Sequence, residues 1–130
     1  MNKFLAFVLL LTTAALAKTL HAPLPDAVTK AKTIYIDNQS GSQGVVDGAY
    51  TEFSKWGRFT VVSDKSAADL IATFTYNSSL YEGTTRSSLT MTVTPNNSTD
   101  SLFQDTERWT IFSNGSKSCV KSFADRVNSH

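Results

Sequence analysis

Leu70, Ala72, Phe74 and Tyr76 alternate with Ile71, Thr73 and Thr75, and further along Leu89, Met91 and Val93 alternate with Thr90, Thr92 and Thr94. Period-two alternation sends the two sets to opposite faces of a strand. Both segments therefore belong to a sheet that is buried on one side only. Whatever covers that sheet must lie on the Leu/Phe/Met side, and the threonines must face away from it.

Two helical stripes supply the cover. Val45, Ala49, Phe53 and Trp56 recur at helical spacing, and Gly57 follows at once as a left-handed stop. Lys117 to Val127 places Cys119, Val120, Phe123, Ala124 and Val127 on one stripe, with Asn114 or Ser116 as the expected N-cap. Thr33 to Ile36 and Arg58 to Val62 are short β-branched strands flanking the first helix, a right-handed parallel crossover unit. Leu70 to Tyr76, Ser87 to Thr94 and Leu102 to Arg108 form a meander, with Asn77 to Arg86 expected as a connection. The expected fold is α/β (α+β): a five-stranded mixed sheet in the order β-α-β-β-β-β-α. The first three strands are parallel in spatial order 2-1-3, and both helices lie on one face. Phe53, Phe74 and Phe123 are the expected buried aromatics.

The domain is expected to run from 33 to 130. Ahead of it, Lys18 to Lys32 contains Pro23 and Pro25 and shows no sustained period, the pattern of a tether. Residues 1–17 have the form of a secretory signal peptide: Lys3, an apolar run from Phe4, and small residues at Ala15 and Ala17. The run is shorter than the ~20 residues a membrane span needs, so no stable membrane anchor is expected after cleavage. Without Lys3 the basic residues fall from 12 to 11, equal to the 11 acidic ones. A neutral chain offers no surplus of cations for phosphate, which excludes nucleic acid as a partner. Cys119 is the one cysteine. An internal disulfide is therefore impossible, and its place in an apolar stripe predicts burial.

Few residues are placed for chemistry. His21 and His130 lie at the two ends of the mature chain, outside any scaffold that could hold a triad or a zinc ion. The loop Asp37 to Gly44 joins a strand to a helix, but Gly41, Gly44 and Gly48 lack the dinucleotide spacing and Asp37 would repel phosphate. Asp105 and Glu107 form the densest acidic pair and share one face of the last strand. They read as solvated charges that guard an edge strand, or alternatively as an acid pair or cation seat. Trp109 ends that strand, placed to cover the sheet edge or meet a partner. Thr73, Thr75, Thr90, Thr92 and Thr94 make a hydroxyl-rich outer face, either a plain solvated surface or a binding one. No cofactor is expected.

Three stretches resemble small uncharacterised secreted bacterial α/β proteins: KTIYIDN at 32–38, KWGRFTVV at 55–62 with ADLI at 68–71, and LTMTVTP at 89–95 followed by DSLFQDTERW at 100–109. More distantly, the order of elements resembles the amino-terminal domain of the Tol-system protein TolB and the periplasmic domain of the curli channel CsgG. Thr94-Pro95-Asn96-Asn97 stands where those small proteins carry a glycine-bearing turn. These are packing motifs, so the resemblance implies a fold and a periplasmic or secreted location, and no activity. The function expected on these grounds is that of a non-enzymatic envelope protein binding another envelope protein through a sheet edge or the threonine face. The alternative is a small hydrolase or metal-binding enzyme that uses Asp105 and Glu107.

Overall fold

The computed structural model describes residues 22–129; the signal segment, the cleavage site, His21 and His130 lie outside the described residues. In chain order the elements are α1 (Asp26–Thr29), β1 (Thr33–Asn38), α2 (Gln43–Trp56), β2 (Thr60–Val61), β3 (Leu70–Tyr81), β4 (Thr84–Pro95), β5 (Phe103–Trp109) and α3 (Ser116–Asn128). The five strands form one sheet in the order β2-β1-β3-β4-β5. β1 is parallel to both β2 and β3, while the β3–β4 and β4–β5 pairs are antiparallel. This is the expected mixed sheet, with the parallel part in the order 2-1-3.

The period-two pattern explains where the core sits. Leu70, Ala72, Phe74, Leu89, Met91 and Val93 are fully buried, and they share one core with Val45, Ala49 and Phe53 of α2 and Cys119, Val120 and Phe123 of α3. Both long helices therefore lie on one face of the sheet. Gly57 ends α2 with φ +77°, the left-handed stop that a residue without Cβ adopts freely. Where α2 passes the start of α3, a Cβ on Gly48 would collide with the Ser116 hydroxyl, so glycine is what allows the two helices to meet this closely.

β1 runs on to Asn38 and α2 starts at Gln43, both inside the stretch read as a loop, and β2 is only Thr60–Val61. Three other boundaries differ more from the sequence reading. Residues 22–32 are not a loose arm: Val28 and Ala31 are buried, and Arg126 Nη2 donates to the Ala22 carbonyl at 2.8 Å. Pro25 caps the short α1 because a helix start needs no N–H from that residue. The start of β1 is then tied to β3 by Asp69, whose carboxylate accepts from the backbone N–H of Lys32 and Thr33 at 2.8 and 3.2 Å. Asn77 to Arg86 is not a loop but the outer half of a long hairpin, closed by Glu82 and Gly83, both at positive φ. Finally, Gly115 rather than Asn114 or Ser116 occupies the N-cap of α3.

Among the described residues, the turn at Lys65–Ala67 covers part of the open face at Ile71. Ile71 is buried there beneath the turn at Lys65–Ala67, which Asn96 Nδ2 holds by donating to the carbonyls of Lys65 and Ser66 at 3.1 and 3.3 Å. Truncating a packed aromatic leaves a cavity that the surrounding structure fills only in part. Phe53→Ala, Phe74→Ala and Phe123→Ala should each lower unfolding free energy by ~3–5 kcal/mol, read as a shift in urea midpoint at unchanged slope.

Candidate functional site

β5 alternates like its neighbours, with Phe103, Asp105, Glu107 and Trp109 half-buried and Gln104, Thr106 and Arg108 exposed. Its register with β4 sets Asp105 opposite Met91 and Glu107 opposite Leu89, and both of those partners belong to the core. The two carboxylates do share a face, but it is the face turned toward α3 rather than a fully solvated edge. The chain re-enters above them at Gly115. With φ +86° and an added Cβ lying only 2.9 Å from Glu107 Cβ, that position accepts glycine alone without strain.

Crowding changes the chemistry of this corner. Asp105 Oδ2 is enclosed without a hydrogen-bond partner. The close approach of the Asp105 carboxyl, followed by partial burial and the Asp105 charge, pushes the Glu107 carboxyl up to about 7. Cys119 lies beneath the pair, its Sγ 3.8 Å from the Asp105 carbonyl oxygen and 3.9 Å from that of Leu89. Burial first, then the two carboxylates, push its thiol up to about 12. Among the described residues no three His, Cys, Asp or Glu side chains are grouped to share a metal ion.

The remaining sites predicted from sequence lie elsewhere. Thr73 pairs with Thr92, and Thr75 with Thr90, on the open face; Thr94 sits opposite Ile71. Thr90 and Thr106 hydroxyls are 2.8 Å apart, which extends the hydroxyl row onto β5. Trp109 points to the helix side, where its ring meets Tyr76 edge-on at 5.2 Å and closes the end of the sheet. The sheet thus separates Asp105, Glu107 and Trp109 from the five threonines, and they form no common surface.

A feature without a clear sequence signal lies at the end of the sheet where β3 and β5 finish. Ile111 and Phe112, in the turn between β5 and α3, are 94% and 92% exposed. Leu80, on the hairpin that overhangs the same end, is 78% exposed. Phe112 also lines a hollow of about 320 Å³ with Gly44, Gly48, Asn114 and Lys117, where the first turns of α2 and α3 converge. The run from Trp109 to Phe112 shows apolar residues in a connection, but sequence alone does not tell whether they fold inward.

The chain matches no protein-family model and no curated protein. Among solved structures it is similar to a variant of PelC from Paraburkholderia phytofirmans, described as a dodecamer (8% identity, TM-score 0.48, 85% of this chain and 96% of that one). It is also similar to uncharacterized lipoprotein B from Nitrosomonas europaea (11% identity, TM-score 0.42, 85% and 81%). A third is a minor lipoprotein from Acinetobacter baumannii (12% identity, TM-score 0.37, 81% and 83%). None of these three is TolB or CsgG.

The acidic corner makes a pH prediction. In the unfolded chain Glu107 titrates near its ordinary 4.5, whereas in the fold it does so near 7. Between these values the native state holds more protons than the unfolded state, so stability falls as pH rises. The stabilising contribution of this group is complete below about 4.5 and lost above about 7. Melting temperature should therefore decline from pH 5 toward pH 7.5, and Glu107→Gln, which keeps a proton donor at every pH, should flatten that decline.

Proposed function

We propose that this protein is an exported, non-enzymatic envelope protein that works as a protein-interaction module and docks its partner at the end of the sheet bearing Ile111 and Phe112. The observation that carries the reading is the exposure of those two large side chains, side by side in one short turn. Apolar groups gathered in this way gain free energy when a partner removes them from water, and clustered exposure of this kind marks contact surfaces. Export rests on the charged start, apolar run and Ala15-Leu16-Ala17 of the leader. No helix among the described residues is long and apolar enough to cross a membrane. Two further surfaces belong to the same reading: the free edge of β5 beside Asp105, Glu107 and Trp109, and the threonine face from Thr73 to Thr94.

One observation favours an acid–base role as a second reading. A carboxyl held near 7 beside another carboxyl is the arrangement by which two acids take different roles. Asp105 and Glu107 would then act on a small ligand or cation that reaches them from the β5 edge on the helix side. A melting temperature raised by millimolar divalent cations would favour this second reading; no shift with any of them would count against it.

The docking reading has its own test. Ile111→Ser with Phe112→Ser changes only exposed side chains, so stability should move by no more than ~0.5 kcal/mol per site. Partners recovered by crosslinking in the native envelope should be lost with the double variant and kept with the parent. Recovery of the same partners by both would remove this turn as the docking site. Intact-mass measurement of the exported protein should give a chain beginning at Lys18.

A further inference from the structure

The β3–β4 hairpin is longer than the sheet that carries it. On one side β1 stops opposite Phe74, and its last contact is the Gln39 N–H donating to the Phe74 carbonyl at 2.8 Å. On the other side β5 stops at Trp109, opposite Ser87. Backbone groups of alternate residues point to the same side of a strand. Because the Phe74 carbonyl faces β1, so do the N–H and C=O groups of Tyr76, Ser78 and Leu80, and past the end of β1 no described strand lies beside them. The Glu82-Gly83 turn confirms the phase, since Tyr81 and Thr84 pair across it and leave Leu80 facing out.

Natural sheets guard such edges with charge, proline or a bulge. Tyr76-Asn77-Ser78-Ser79-Leu80-Tyr81 has no charge and no proline, and its pairing with β4 runs from Leu70 to Tyr81 without a bulge. Resting on the reading of this chain as an interaction module, we propose that the occupant of this edge is the same edge of a second copy, paired antiparallel about a twofold axis at Ser79.

Length and sterics select that register. With the axis at Ser79, Ser78 faces Leu80 of the partner subunit and Leu80 faces Ser78 of the partner subunit, and the outward groups of both pairs are joined. The partner's Glu82 then comes opposite Tyr76, the first free row past β1. Moving the axis to Ser78 would bring the partner's Glu82 opposite Phe74, a place Gln39 already fills. Moving it to Leu80 would leave Ser78 facing the turn. The free stretch of one copy is thus the length the free stretch of the other requires. Being uncharged, the two meet without like-charge repulsion, the effect that commonly forbids self-pairing. The same pairing sets the exposed Leu80 of each copy diagonally beside the other on the helix side, within contact range for long side chains.

Ser79 becomes a pair of residues facing each other without backbone bonds between them, about 4.5 Å apart at Cα. That distance suits a disulfide. In the full-length mature protein, Ser79→Cys should form a covalent dimer under mild oxidation, whereas Asn77→Cys, two residues along on the same face, should not. Cys119 is buried and does not compete. Adding Ser78→Pro should suppress the crosslink while leaving the fold in place, because the N–H it removes is not used by β4. Leu80→Lys, at an exposed position, should suppress it too and serves as control if the proline variant folds poorly. Equal crosslinking at positions 77 and 79, or none at 79, would overturn the proposal. Partner capture lost on Ile111→Ser with Phe112→Ser while the Ser79→Cys crosslink persists separates a failure of that turn from a failure of this edge.

Discussion

Phe123 is the point through which the helical layer is joined to the sheet. Its ring meets Trp56 edge-on at 5.7 Å, stacks on Phe59 at 5.9 Å and leans on Phe103 at 5.1 Å. Those partners come from the α2–β2 junction, at Trp56 and Phe59, and from the start of β5, so one side chain of α3 joins two stretches far apart in sequence. Aromatic pairs at these distances add about 0.5–1.5 kcal/mol each beyond the area they bury. With two long helices among the described residues, both on one face, the sheet is covered on that face, and this cluster marks where the cover meets it.

From this one-sided cover follow the properties of the rest. The open face keeps threonines because a β-branched side chain with a hydroxyl suits a strand that water reaches. On β5 the covered face keeps apolar residues only at its ends, Phe103 and Trp109, and between them Asp105 and Glu107 occupy positions that Leu or Val would fill nearer the centre. α3 still has to pass above them, which is why Gly115 approaches the Glu107 Cβ so closely. The carboxylate corner is therefore the margin of the core.

Strand and helix identity was legible wherever burial imposed a period. Leu70–Phe74, Leu89–Val93 and the stripes through Phe53 and Phe123 were readable because one side of each element is dry. The outer hairpin, Asn77 to Arg86, was not readable as strand: both of its faces meet water, so nothing forces apolar and polar residues to alternate. α1 was hidden by two prolines, although Val28 and Ala31 already stood at helical spacing. Asp105 and Glu107 were correctly seen to share a face. Which face it was depended on their register with Met91 and Leu89, and a hydropathy pattern gives no sign that two acids turn inward. The exposure of Ile111 and Phe112 depends on a tertiary fact, the absence of any described element packed over that turn.

The buried thiol of Cys119 has a consequence for the molecule's chemical lifetime. Thiolate, not thiol, attacks disulfides and reacts with oxidants. With its proton held up to about 12, Cys119 presents almost no thiolate at neutral pH. Oxidised glutathione or a neighbouring protein's disulfide then finds nothing to exchange with while the fold is closed. The thiol becomes reactive only when α3 lifts from β4 and β5, so its alkylation rate measures how often that happens: the chain carries, at one atom, a built-in clock for the opening of its own core.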